Sequence, residues 1–210
     1  MGGREARLAG GFDSVKDLLA GLAVALLSIC AMSRRTPAPP APVSYASQVA
    51  AVRTWNTFSP RIRWARPGEV PGQVEPTKVA IRNLGAAVTA WDDALAVEGC
   101  PLRLVAVVEA DTNAEIVVEE VPAGTLAAEF HDERSASTET EWGGDGKVFK
   151  ATARFEDSAF RTAAHELGHA LGIDGHPANL PGALMATPTR RTTPTRADAL
   201  TISGAWRGGG

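Results

Sequence analysis

The chain has 210 residues, 44% of them hydrophobic and 21% charged, with a formal net charge of −3. This composition suits one globular domain with an appendage, and without a basic block it excludes the nucleic-acid-binding classes. Cys30 falls in an N-terminal apolar segment, which leaves Cys100 alone in the folded part, so the domain relies on its core rather than on an internal disulfide.

In chain order, the first feature is an apolar run of 15 residues, Leu18 to Met32, bounded by Lys16-Asp17 and by Ser33-Arg34-Arg35. Fifteen is the upper end for a signal-peptide core and short of the roughly 20 residues that a spanning helix needs. Residues 1–35 therefore read as a signal peptide or an uncleaved membrane anchor. Either places the rest of the chain outside the cytoplasm, secreted or tethered to a membrane. Thr36-Pro37-Ala38-Pro39-Pro40-Ala41-Pro42 opens a stiff Pro-rich linker over residues 36–50. The folded domain is expected over residues 51–210.

Residues 61–66 alternate and predict a first strand, followed by a loop rich in Gly and Pro over 68–76. Thr77 caps a predicted helix that runs to about Val97, with Val79, Leu84, Val88, Trp91 and Leu95 on one stripe. Residues 102–109 and 114–121 are strand candidates rich in Val, Leu and Ile, and 124–130 is a further one. Residues 131–147 are polar and hold Gly143-Gly144-Asp145-Gly146. They read as a mobile loop or, alternatively, as a calcium loop using Asp132, Glu133 or Asp145, although no known calcium-loop spacing is present. Residues 148–155 predict the last strand, with Phe149, Ala151, Ala153 and Phe155 on one face. Asp157 or Ser158 then caps a helix to about Leu171, with Phe160, Ala164, Leu167 and Leu171 inward. Thr195-Arg196-Ala197-Asp198 has the form of a capping box that opens a final helix through about Trp206.

The chemistry is concentrated in residues 165–176, His-Glu-Leu-Gly-His-Ala-Leu-Gly-Ile-Asp-Gly-His. His165 and His169 are four apart, which on a helix stacks both imidazoles on one face, able to close on one Zn²⁺. Glu166 need not bind the metal and is free to act as general base toward a water activated there. Gly172 lets the chain leave the helix through a left-handed turn, and His176 lies just beyond it as a third ligand. Three protein ligands with an open position is the catalytic rather than the structural form of zinc. The chain has four His, and only His131 lies outside this motif.

These residues resemble the metzincin clan of zinc metallopeptidases, the matrixin family in particular, whose signature is H-E-x-x-H-x-x-G-x-x-H followed by a methionine turn. The match holds at His165, Glu166, His169 and Gly172, and then the third His arrives one residue late, with Gly175 as the inserted residue. Asp174 sits where matrixins often carry an Asp before the third His. His176 is the expected third ligand; Asp174 itself is the alternative, since a carboxylate replaces His in some bacterial metzincins. Met185, nine residues after His176 and behind Pro181-Gly182, has the place of the Met-turn methionine. Ala186 stands where relatives often carry Tyr, so zinc and backbone N–H groups would stabilise the oxyanion. No Glu follows Glu166, which disfavours the rival gluzincin class with its downstream Glu ligand.

The resemblance implies an α+β fold: a small catalytic domain with a twisted, mostly parallel sheet, an antiparallel edge strand, an active-site helix, a Met-turn and a C-terminal helix. Residues 124–130 have the place in chain order of the edge strand that pairs with substrate. The implied activity is a monomeric zinc-dependent endopeptidase acting on peptide or protein substrates, with one catalytic zinc. A non-catalytic zinc-containing domain that binds partners at the cell surface is the alternative, and an amidase acting on a non-protein amide shares the same chemistry.

Overall fold

The computed structural model describes residues 43–208, apart from 67, 70–73, 107–112, 132–133, 158, 179, 181 and 188–189. The N-terminal apolar run, residues 36–42 of the Pro-rich linker, and Asp132 and Glu133 lie outside the described residues. Among the described residues seven strands form: β1 (Ala51–Val52), β2 (Arg61–Trp64), β3 (Val105–Ala106), β4 (Ile116–Glu120), β5 (Ala136–Trp142), β6 (Val148–Phe155) and β7 (Ile173–Asp174). Four α-helices accompany them there: α1 (Lys78–Val97), α2 (Thr125–Phe130), α3 (Phe160–Ala170) and α4 (Arg196–Gly208). None of the described helices is long and apolar enough to cross a membrane.

Five strands make one sheet in the order β3-β2-β4-β6-β5, parallel throughout except for β5, which pairs antiparallel with β6 at the edge. The protein is therefore α+β with a mostly parallel sheet. β1 and β7 form a separate antiparallel pair, Ala51 opposite Asp174 and Val52 opposite Ile173. One face of the main sheet carries Ile62, Ile116, Val118, Ala151, Ala153 and Phe155 into a core shared with Leu84, Trp91 and Leu95 of α1 and Ala164 and Leu167 of α3. Burial of these side chains contributes roughly 1.5–3 kcal/mol for each large aliphatic or aromatic residue. Packing reaches upstream of Ala51, because Tyr45 is fully buried. Cys100 is buried and unpaired.

The α1 stripe holds at Leu84, Val88, Trp91 and Leu95, but Val79 faces solvent and Ala80 takes the inner place in the first turn. Thr77 caps this helix, its hydroxyl accepting from Ala80 N–H at 3.1 Å. The predicted capping box is also present: Thr195 N–H donates to Asp198 Oδ2 at 2.7 Å while Asp198 N–H reaches Thr195 Oγ1 at 3.4 Å.

Several expectations are corrected. The expected strand over 124–130 is the helix α2. Gly124 enters it at φ +83°, and the Glu156 carboxylate, 30 or more residues away, accepts from Gly124 N–H at 2.8 Å and Leu126 N–H at 2.6 Å. This tertiary cap satisfies the N–H groups that a short helix leaves open. The segment expected to be a mobile loop, 131–147, contains the edge strand β5. Gly146 at φ +75° closes the β5–β6 hairpin, and Asp145 Oδ1 accepts from Lys147 N–H at 3.0 Å, so Asp145 serves the turn. Phe149 was expected on the inner face with Ala151, yet it is exposed and Val148 is buried in its place. The register shifts at Glu141/Trp142, opposite this point, and the extra residue reverses the alternation. At α3 the expected cap by Asp157 or Ser158 is replaced: the N-cap residue is Ala159, without a side-chain cap bond, and Asp157 Oδ1 accepts from Ala159 N–H at 2.6 Å just ahead of the helix.

Candidate metal centre

Helix α3 carries His165, Glu166 and His169, with Ala164, Leu167 and Ala170 fully buried on its inner side. Two tryptophans anchor it. The indole N–H of Trp91 donates to Ala164 O at 2.7 Å, and that of Trp55 to Ala170 O at 3.1 Å. The second bond satisfies a carbonyl at the helix C-terminus that has no intrahelical partner.

The chain then turns at Gly172, φ +108°, where Arg53 N–H donates to Gly172 O at 2.9 Å. A Cβ on Gly172 would collide with Arg53 O, so the turn needs glycine for both its conformation and its space. β7 follows, and Ala50 N–H donates to Asp174 O at 2.8 Å. Gly175, φ +93°, reverses the chain again, and His176 returns to the helix.

The three imidazoles converge. His176 Nε2 lies 2.9 Å from His165 Nε2 and 3.1 Å from His169 Nε2. Among the described residues, the group of His, Cys, Asp and Glu side chains close enough to share an ion is His165, His169 and His176, with all ligand atoms within 4.8 Å. Asp174 borders the same cleft but is outside that group. His131, in a left-handed conformation at the end of α2, is also outside it.

The far ring nitrogens fix the rings. His165 Nδ1 lies 3.0 Å from Leu184 O, and His169 Nδ1 lies 2.7 Å from Ile173 O. A carbonyl only accepts, so each Nδ1 carries the proton and each Nε2 presents its lone pair to the common point. Burial, joined at His165 by the neighbouring His169, depresses the pKa of all three histidines, that of His165 to about 4. They are therefore neutral, the form in which imidazole binds metal. The lone pairs of His165 and His169 thus face His176 Nε2 at 2.9 and 3.1 Å, an arrangement that a cation among the three nitrogens would hold together. A tetrahedral site with arms of about 2.0–2.1 Å has ligand–ligand edges of about 3.3 Å, close to the spacings seen. The three histidines are positioned to bind a metal ion, and the nitrogen donors and spacing fit zinc.

Met185 lies beneath this group, fully buried, and a Cβ on Gly168 would collide with its sulfur. The helix thus rests directly on the thioether, which fills the space without offering a ligand. The turn bearing Leu184 and Met185 is held by Asp198, also fully buried: Leu184 N–H donates to Oδ2 at 2.9 Å and Met185 N–H to Oδ1 at 3.3 Å. The Tyr45 hydroxyl donates to Asp198 Oδ1 at 2.5 Å, so this phenol belongs to the core rather than to the cleft.

Glu166 is 6% exposed, and burial raises its carboxyl to about 7 against the hydrogen bond from Thr138 and the charge of Arg134. A nearby dication would favour its ionised form. Thr138 Oγ1 is 2.7 Å from Glu166 Oε2 and 3.1 Å from Glu166 O. Both Thr138 and the edge strand carrying it escape the sequence reading; the signal was the alternation of Thr138 and Thr140 with Ser137, Glu139 and Glu141 before a Gly-rich turn. The three histidines and Glu166 open onto one cleft of about 810 Å³, lined also by Ser135 to Thr138 and by Asp174, Gly175, Ala186 and Thr187.

No protein-family model matches the chain, and no curated protein matches it at a significant level.

Proposed function

We propose that the chain is a zinc-dependent endopeptidase of the metzincin type, matrixin-like, with the third histidine displaced by one residue. The observation that carries this reading is the convergence of three neutral Nε2 atoms and one buried carboxylate on a single cleft. His165, His169 and His176 would hold the ion. When bound, zinc would supply Lewis acidity, lowering the pKa of a water toward about 7 and polarising the scissile carbonyl. Glu166 takes the proton of the attacking water and delivers it to the amide nitrogen, so that the C–N bond breaks to give a carboxylate and an amine.

The edge strand that lines the cleft is β5, not residues 124–130. Among the described residues no strand pairs with its outer edge, so an extended peptide can add to the sheet there. That favours a peptide over a compact small amide as substrate. In this reading the domain acts as a monomer outside the cytoplasm, secreted or held to a membrane through residues 1–35.

The test is Glu166→Ala beside wild type, scored for zinc content and for cleavage of a mixed peptide pool. Retained zinc with cleavage abolished supports Glu166 as the base. Retained zinc with cleavage intact removes it from that role, and a wild type that holds zinc but cleaves nothing favours a non-catalytic binding domain.

A further inference from the structure

We propose that Thr138 is a positioning residue for the Glu166 carboxylate, held out to it by the strand that borders the cleft; this rests on the reading of Glu166 as the base. Thr138 pairs with Ala153 in the β5–β6 register. Directly paired residues share a face, and Ala153 is buried on the helix side of the sheet, so Thr138 also points toward α3. There its hydroxyl meets Glu166 twice, at Oε2 (2.7 Å) and at the backbone oxygen (3.1 Å).

A threonine hydroxyl has one proton to give. An ionised carboxylate draws it, and 2.7 Å is within the range of a charge-assisted bond. Thr138 supplies the hydrogen bond that this carboxylate has among the described residues. Glutamate otherwise loses much rotamer freedom when it is ordered, so one fixed donor decides which direction the second oxygen faces. Oε2 is taken by Thr138, and Oε1 is left for a water or an amide nitrogen.

The strand that gives this donor also lines the cleft at Ser135, Ala136 and Ser137. A peptide added to β5 is therefore placed relative to the same backbone that places the base. Misplacement of a reacting group by about 1 Å costs up to about 100-fold in rate, so this link bears on turnover more than on binding. A tie between strand and helix alone would alter stability or KM and would leave kcat unchanged.

The experiment compares zinc-loaded full-length wild type, Thr138→Val and Thr138→Ser on a quenched fluorescent peptide, with crystal structures of the three metal-free proteins. Valine keeps the shape and strand preference of threonine, and serine restores the hydroxyl. The expected result is a kcat lowered about tenfold or more in Thr138→Val, KM within about twofold, and most of the loss recovered in Thr138→Ser. The crystals should show the Glu166 carboxylate displaced in the valine variant and in its wild-type place in the serine variant. A wild-type kcat in Thr138→Val overturns the proposal, as does a serine variant as impaired as the valine one. If the wild type holds zinc but cleaves no peptide, the base reading fails by itself. The crystals then decide the positioning role, and an unmoved carboxylate in the valine variant overturns it.

Discussion

His165 and Asp198 grip opposite ends of one residue. Leu184 donates its N–H to Asp198 Oδ2 at 2.9 Å, and its carbonyl accepts from His165 Nδ1 at 3.0 Å. A buried carboxylate on α4 is thereby coupled to the orientation of an imidazole on α3. The same carboxylate also accepts from Met185 N–H, Thr195 N–H, the Thr195 hydroxyl and the Tyr45 hydroxyl. Asp198→Ala leaves these buried donors without an acceptor and should cost about 3–5 kcal/mol in a denaturant titration. Where the variant still folds, zinc affinity should fall about 10–100-fold, because the partner that orients His165 is no longer fixed.

Tyr45 gives this network a pH dependence. Burial and then the Asp198 charge raise its pKa well above the ordinary value of 10.0. The folded state therefore holds the phenol neutral where the unfolded state would ionise it. Its contribution is full below pH 10 and is lost progressively as pH rises above that value. Tyr45→Phe should lose about 1–2 kcal/mol at neutral pH and show a shallower alkaline decline than wild type when unfolding is followed from pH 8 to 11.

The two glycines that bring His176 back differ in their surroundings. Gly172 has a positive φ and no room for a Cβ against Arg53 O; Gly175 has a positive φ with only ordinary contacts near Ala50. Gly175→Ala should therefore cost about 1 kcal/mol of backbone strain, and Gly172→Ala about 3 kcal/mol or more. Thermal unfolding of the two variants would check this. Equal losses would mean that the turn at Gly172 relaxes away from Arg53.

Gly168 lies inside a helix, where alanine normally stabilises by about 0.5–1 kcal/mol. Here the added methyl would meet Met185 Sδ and Trp91. Gly168→Ala should instead destabilise by about 1–3 kcal/mol, while Met185→Leu should cost less than about 1.5 kcal/mol. Chemical denaturation of both variants tests whether the helix rests on the methionine as closely as described.

The convergence of His165, His169 and His176, positioned to bind a metal ion, was legible because the chemistry is local. The four-residue spacing of His165 and His169, the positive-φ turn at Gly172 and the Met185 segment all follow from short-range geometry. The amphipathic helix α1, the apolar run of β4 and the alternating half of β6 from Ala151 to Phe155 were legible for the same reason. What escaped depends on partners distant in sequence. Residues 124–130 have strand-compatible composition but become helical because Glu156 caps them from another element. β5 is polar on both faces, so hydrophobic patterning could not reveal it; pairing with β6 makes it a strand. The role of Thr138 depended on that pairing and was hidden with it.

The most direct test of the site is metal content and peptide cleavage of the full-length protein, with wild type beside His176→Ala. About one zinc per chain and chelator-sensitive cleavage are expected in the wild type, with both lost in the variant. Full zinc and full cleavage in His176→Ala would contradict the three-histidine centre and move the third ligand to Asp174 or elsewhere.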